Sequence, residues 1–571
     1  MESLAETTWD VLISGTGLQQ SLLALALSRS GKKILHVDKN DFYGGPDAAF
    51  SLQEAEKWMS RVNADFPGGD FRDVSFARIP TSSTSGDGTS SALSFSRAYT
   101  LSLSPHIIYS RSALLPYLVS SKVYKQLEFQ AVGSWWLYSS SSVGSPKPDT
   151  ENDGSGNPEG ASVRPPTGAL RKVPNGREDI FSDDTLSLKS KRFLMKFLKF
   201  VGDYENQREI WEKDASRPFD DFLSRVFDMP KGLCEPLYAI TMSGDAPSET
   251  ATEFALPRIA THLRSIGVFG PGFGAVIPKW GGLSEIAQVG CRAGAVGGGV
   301  YMLDQGISAM DPVDPVGEAE GVELLEAQLH NGEQIRTRWI VGSILDLPGR
   351  ATIPPSPSTS SIATLRSISI VSSPLNELFP PLAEGAPLPA GAVVVLPSSC
   401  LSDDHAESSS PQLPPVYIIV HSSETGECPA GQCILYASTL LTPLTPSPTT
   451  ILTTAIDRLL SSLTETPAPQ VLYTLQYTQT APPTNIDSST THARILTLPP
   501  VSPSLVFSDT LLDDVKSAWR RIMLDLDGED AVSEESFLVF EERGGDHDDD
   551  DDGDEGEGEG EAEGEFEEEG S

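Results

Sequence analysis

Val11-Leu12-Ile13-Ser14-Gly15-Thr16-Gly17, followed by Leu18 to Arg29 and then by Lys33-Ile34-Leu35-His36-Val37-Asp38, decides the fold class. A short apolar run, a glycine turn, a helix-forming stretch and a second β-prone run predict a strand–turn–helix–strand opening. Glycines at 15 and 17 allow a tight turn, and an acid closing the second strand is placed to hold ribose hydroxyls; together they are two-thirds of a dinucleotide-binding motif. The third glycine is replaced by Gln20. Its side chain would stand where helix and strand must pack closely and would fill room needed by a pyrophosphate. The motif Gly15, Gly17, Gln20, Asp38 therefore reads as vestigial, and no cofactor is expected.

Outward from this unit, helical patterns dominate at Ser112 to Val123, Lys189 to Val201, Pro218 to Phe227 and Thr252 to Ile266. From Gly298 onward short β-prone runs take over: Val300 to Leu303, Val322 to Leu329, Trp339 to Leu345, Ile368 to Val371, Ala392 to Leu396, Val416 to Val420 and Cys433 to Ala437. A helix near Leu511 to Leu526 and a strand at Phe537 to Phe540 close the pattern. Ser/Gly/Pro-rich stretches near 80–92, 139–168, 353–361 and 402–414 read as surface insertions. The expected organisation is a mixed α/β domain (1–110 and 271–543) interrupted by a smaller, mostly helical one (111–270), with an acidic tail at 544–571.

The chain has 571 residues, 39% of them hydrophobic, enough for two packed domains. Formal charge is −39, of which Asp546 to Glu569 supplies 16 through seven Asp and nine Glu with no Lys or Arg, leaving −23 on the rest. The tail reads as a disordered, solubilising segment or as an arm for a basic partner. The acidic balance argues against nucleic acid and against simple adsorption to anionic membranes. No apolar run reaches membrane-spanning length, the first ten residues lack the cationic pattern of a signal peptide, and no cysteine stands where a prenylation signal would put it. A cytoplasmic protein is expected, with transient membrane visits and passage to the nucleus left open. Five scattered cysteines without a CxxC pair indicate neither a disulfide frame nor a zinc site. No HExxH, GxSxG or P-loop and no pair of catalytic carboxylates is found, so catalytic and metal-ligand roles stay empty. His36, His106 and His262 have no ligand spacing and read as structural.

Two separated blocks carry a resemblance. Leu35-His36-Val37-Asp38-Lys39-Asn40-Asp41-Phe42-Tyr43-Gly44-Gly45 and the pair Gly282-Leu283-Ser284-Glu285-Ile286-Ala287-Gln288 with Arg292-Ala293 through Val296-Gly297-Gly298-Gly299-Val300-Tyr301-Met302-Leu303 resemble the Rab GDP-dissociation inhibitor and Rab escort protein family. The likeness spans about residues 8 to 345 and, more loosely, Phe537 to Arg543. Leu101 to Pro105, Arg111 to Leu118 and Leu127 to Trp136 look more like the escort branch.

The resemblance implies a flavoprotein-like, Rossmann-type large domain without a flavin, and a non-catalytic role. An escort protein binds newly made GDP-bound Rab GTPases, presents their C-terminal cysteines to the Rab geranylgeranyl transferase catalytic heterodimer and delivers the lipidated product to membranes. By the same carry-over, Tyr43, Gly44, Gly45, Glu285, Arg292, Val300 and Met302 fall on the Rab-binding platform, Val300 at a position that is often Thr. The apolar positions Phe193, Leu194, Phe197, Leu198 and Val201, at helical spacing, are candidates for receiving the isoprenoid as well as for core packing. His262 is the nearest equivalent of an aromatic that contacts the transferase. The readings left open are a GDP-dissociation inhibitor that recycles prenylated Rabs and, from Gly15, Gly17 and Asp38, a flavin-dependent oxidase.

Overall fold

The computed structural model describes residues 4–65, 70–78, 93–140, 168–174, 180, 186–311, 324–348, 363–401, 413–443, 445, 448–481, 492–528 and 533–541. The low-complexity insertions fall almost wholly outside these residues, as does the acidic tail.

The opening unit forms as its sequence dictates: strand Thr8–Ser14, helix Leu18–Ser28, strand Ile34–Val37. The two strands pair in parallel, Val11 opposite Ile34 and Ser14 opposite Val37. Every residue of the helix is buried, which is what a helix rich in Leu and Ala with no charged residue requires. It lies between helices Leu283–Val296 and Thr510–Asp527.

Around it runs a seven-stranded sheet in the order Val300–Met302, Ile34–Val37, Thr8–Ser14, Gln334–Ser343, Leu325–Leu329, Ile307–Asp311, with Ile495–Leu498 beside Gln334–Ser343. The strand Val300–Met302 is thus an edge, held by parallel pairing to Leu35–Val37. A ten-stranded sheet forms the second layer: Phe71–Arg78, Val471–Thr480, Ala363–Val371, Cys433–Leu440, Val416–Ser422, Gly391–Leu396, Phe129–Ser139, Ala275–Pro278 and Ile108–Tyr109, with Ala169–Lys172 pairing to Phe129–Ser139. Helices Leu188–Val201, Phe219–Phe227, Lys231–Thr241 and Thr252–Ser265 share one apolar core with this sheet, Phe197, Phe222 and Ile259 lying in the same cluster as Ile368, Val393 and Tyr417. Helix Pro448–Ser462 packs through Leu452, Ile456 and Leu459 with the alternate side chains Val394, Ile418 and Leu435.

The fold is the mixed α/β architecture expected, with two corrections. Phe129–Ser139, placed by the sequence in the helical part, is a strand inside the ten-stranded sheet, so the helical part of the described chain spans about 186–265. Phe537 to Phe540 is not a strand. Leu538 takes φ +55, and the chain turns so that Phe537 packs against Tyr117 and Trp519; helices occupy the side where a partner strand would have to lie. All five cysteines are buried and none is in a disulfide. Among the described residues no helix is long and apolar enough to cross a membrane, and no His/Cys/Asp/Glu group is arranged for a metal ion.

Candidate functional site: a closed nucleotide loop beneath an exposed platform

The dinucleotide-like loop is filled by the protein itself. Gly15 has φ +92, a conformation that favours glycine, and a Cβ there would collide with the Asp346 carboxylate. Gln20 folds back over the loop: its Oε1 sits 2.9 Å from where a Cβ on Gly17 would be, and its Nε2 donates to Asp346 Oδ2 at 3.4 Å. Asp346 also accepts from Ser343 Oγ at 2.6 Å and pairs with Lys39 at 3.1 Å. The acid that would hold a ribose is spent internally. Asp38 Oδ2 accepts from Thr16 N and Oγ1 at 2.7 and 2.6 Å, and Oδ1 accepts from Asn40 N and Nδ2 at 2.7 and 2.9 Å. A flavin's pyrophosphate would meet Gln20 where it needs backbone N–H groups, with a carboxylate alongside; the residues do not fit the cofactor.

Burial shapes the titration of this region. Asp38 is pushed up to about 6, by burial first and by neighbouring Asp346 second, against the lowering effect of its hydrogen bonds. Asp47, fully buried near the start of helix Leu18–Ser28, is pushed up to about 7 by burial and by Asp70, despite Arg366 and the Leu18 N–H. Neither Asp47 oxygen has a well-formed hydrogen bond. A carboxyl whose pKa rises on folding costs stability as pH climbs from its unfolded value towards its folded one. Asp47→Asn is therefore expected to stabilise the protein at pH 8 by about 1–2 kcal/mol, with the gain fading as pH falls from about 7 to about 4. Urea unfolding at pH 8 and pH 5 checks this; an equal effect at both would contradict it. His36 and His106, lowered to about 4 by burial, act oppositely on the acid side, so the single-site comparison is the informative one.

Directly over the closed loop lies the turn Tyr43-Gly44-Gly45. Gly44 (φ +99) donates its N–H to Thr16 O and Oγ1 at 3.2 and 3.1 Å. A Cβ on Gly44 would lie 3.0 Å from Ala48 Cα and 3.2 Å from Ser284 Oγ. Ser284 stands in the first turn of helix Leu283–Val296, so a missing side chain lets the first sequence block seat against the second. The second block is tied again at its other end: Asp38 N donates to Met302 O at 2.9 Å, and the Tyr301 ring packs on His36 at 4.9 Å between centroids.

The candidate side chains are exposed or half-buried on these joined segments. Glu285, Gln288 and Arg292 project from one face of the helix at three- and four-residue spacing. Val296 follows at 61% exposure, and Val300 on the edge strand is 38% exposed. Tyr43 and Met302 are half-buried, Met302 packed on the cluster that holds Leu35 and Val37. The Tyr43 hydroxyl's pKa is raised by burial and by the proximity of Cys291 and Asp38; that of Glu285 is raised by burial against the lowering field of Arg292. Arg292 donates to Gln126 Oε1 at 3.2 Å. The fold thus brings Tyr43–Gly45 against the helix that carries Glu285 and Arg292 and pairs Val300–Met302 with the strand that leads to Tyr43. The sequence reading gave no role to Ser284, although it lies inside the second block, and missed Gln126 and Asp346, polar residues in ordinary-looking segments whose contacts come only from distant neighbours.

The lipid candidates lie on helix Leu188–Val201. Leu194, Phe197 and Val201 are buried, Phe193 and Leu198 partly so. Leu194 and Leu198, with Leu233, Leu237, Ile259 and Leu263, line an apolar cavity of about 30 Å³. His262 requires a correction: it is 1% exposed, its ring packed edge-on against Tyr109 and Trp135 at 5.7 and 4.7 Å. Burial lowers its pKa to about 4, so it is a neutral core residue and not a surface anchor. The helix turns it inward and leaves Phe254 exposed instead.

Comparison with known proteins places this geometry. The Rab proteins geranylgeranyltransferase component A of Saccharomyces cerevisiae is 32% identical over 432 residues, covering 75% of this chain and 61% of that protein; the chain thus spans under two-thirds of its relative's length. The Rab GDI of Plasmodium falciparum has the same fold, with a TM-score of 0.55 at 18% identity over 91% of this chain and 98% of that one. An oxidoreductase from Methanosarcina mazei follows at TM-score 0.50 and 11% identity, over 89% of this chain and 99% of that one, so the architecture is shared with oxidoreductases. The model of the family described as GDP dissociation inhibitor matches residues 5–338, a stretch that contains the Gly15–Gln20 loop and all seven platform candidates: the chain belongs to the GDP dissociation inhibitor family.

Proposed function

We propose that this chain is a Rab escort protein, the non-catalytic, substrate-binding component of a Rab geranylgeranyl transferase. It binds newly made Rab in the GDP form, presents it to the catalytic heterodimer and delivers the lipidated product from the cytosol to membranes. The observation that carries the reading is the seating of Tyr43–Gly45 against the Glu285/Arg292 helix, with the Val300–Met302 edge strand paired to Leu35–Val37, over a loop plugged by Gln20 and Asp346. Half-buried Tyr and Met offer adaptable apolar contact, while Glu285 and Arg292 offer charged hydrogen bonds that fix register. Val300 supplies no hydroxyl, so contact at that position is apolar.

The product's isoprenoid would enter between the helices lined by Leu194 and Leu198. The cavity of about 30 Å³ is too small for a twenty-carbon chain, so these helices must part, and burying the chain would return about 25 cal/mol per Å². The name of the Saccharomyces cerevisiae relative supports the escort reading over a recycling inhibitor. Calorimetric titration with unprenylated Rab tests it: binding to the GDP form and weaker binding to the GTP form are expected. Binding that requires a lipidated Rab would identify a recycling inhibitor instead.

A further inference from the structure

Helix Leu188–Val201 turns Leu194, Phe197, Phe200 and Val201 into the core. Lys189, Arg192, Lys196 and Lys199 are all exposed, and their spacing of three, four and three residues sets them in one row along the outer face. With Lys191 the helix carries five cations and no acid, and no other described helix carries more than three cations. Among the described residues none of the four is in an ion pair: Lys189 lies over Phe193 and Lys196 over Phe227, while Glu205, just beyond the helix end, is held by Arg264. A cationic row of about 15 Å with no acid paired to it among the described residues is out of place in a chain of net charge −39 unless something anionic covers it.

The sequence holds a complementary segment. Between Asp546 and Glu569 it has 16 acids and no Lys or Arg, and Glu alternates with Gly or Ala from Glu555 to Glu565. In an extended chain alternate residues face the same way, so this stretch would present six carboxylates along one side, each about 7 Å from the next. Successive row cations are separated by a rise of about 4.5–6 Å. The described chain reaches Glu541 beside helix Leu114–Ser120, where Phe540 N donates to Ser120 O. Thirty residues beyond it can extend about 100 Å, more than the roughly 60 Å width of a body this size, so the row is within reach. We propose that the Lys189/Arg192/Lys196/Lys199 row is the docking surface for the chain's own acidic segment, Asp546–Glu569. Tethering gives that segment an effective concentration in the millimolar range, so any other anionic surface must displace it to approach the helix that lines the apolar cavity.

Zero-length carbodiimide coupling of the full chain, at a concentration too low for encounters between molecules, tests this by joining lysines to carboxylates in contact. Coupled peptides linking 546–569 to Lys189, Lys196 or Lys199 are expected in about fivefold excess over those linking it to Lys57 or Lys213 at about 50 mM salt, and the excess should vanish at about 500 mM, where screening acts within about 4 Å. Arg192→Gln with Lys196→Gln, which leaves Lys189 and Lys199 as reporters, should cut the excess at least threefold without moving the melting temperature. No excess at the row, or an excess indifferent to salt and to the Gln variant, overturns the proposal. Repeating the coupling with phosphatidylcholine–phosphatidylserine vesicles separates the other occupant: a row that never couples to the segment but is shielded by vesicles is a membrane-facing surface, which also overturns it.

Discussion

Phe197→Ala is expected to lower the unfolding free energy by about 3–5 kcal/mol. The ring is fully buried at the centre of an aromatic cluster, with centroids 5.3, 6.0 and 6.4 Å from those of Phe227, Phe219 and Phe200. The three rings come from two helices, Phe200 from Leu188–Val201 itself and Phe219 and Phe227 from the two ends of Phe219–Phe227, so closing the void would require one helix to shift against the other. Truncation removes both the buried ring area and the edge-to-face contact with Phe227. Urea unfolding followed through the fluorescence of Trp211, which packs on Tyr204 in the same helical part, reads the loss. A change below about 1 kcal/mol would mean that the cluster collapses freely, as it would if these helices were built to rearrange around a lipid with little packing energy between them.

Arg292→Ala is expected to weaken binding of unprenylated, GDP-loaded Rab by about 1.5–3 kcal/mol, roughly 10- to 150-fold, because it leaves a charged hydrogen-bonding group on the partner unpaired. Folding should barely change: Arg292 is exposed and its partner in the free chain is the amide of Gln126 at 3.2 Å. Gln126→Ala, which removes the tether and keeps the cation, should have a much smaller effect. Calorimetry on both variants separates the guanidinium's own contribution from its positioning, and unchanged affinity in Arg292→Ala would remove it from the platform.

The pattern of what could be read in the sequence follows the range of the forces involved. The opening strand, turn and helix are local: apolar periodicity and two glycines specify them, and Gln20 announced the closed loop because its position alone places its side chain there. What fills the loop with it, Asp346, lies 326 residues away, and no local signal marks it. The two candidate blocks were recognisable as strings, yet only the seat of Gly44 against Ser284 and the parallel pairing of Val300–Met302 with Leu35–Val37 show how the fold brings them together. The misreadings have the same origin. Phe129–Ser139 is buried along most of its length by tertiary neighbours, so its surroundings decide its state. Phe537–Phe540 has β-prone composition but finds helices in place of a partner strand. His262 sits on a helix whose register could not be fixed from periodicity, because Pro257 and a mix of polar and apolar side chains leave no clean apolar stripe.

The central claim, that the platform holds an unlipidated Rab for the transferase, is tested most directly by reconstituting the reaction. Rab loaded with GDP, the transferase heterodimer and labelled geranylgeranyl diphosphate are combined with and without this chain. Lipidated Rab that accumulates only when the chain is present, and in proportion to it until the Rab is saturated, is the predicted result. Incorporation that stays at background with the wild-type chain, under conditions where it binds the same Rab once lipidated, would contradict the account.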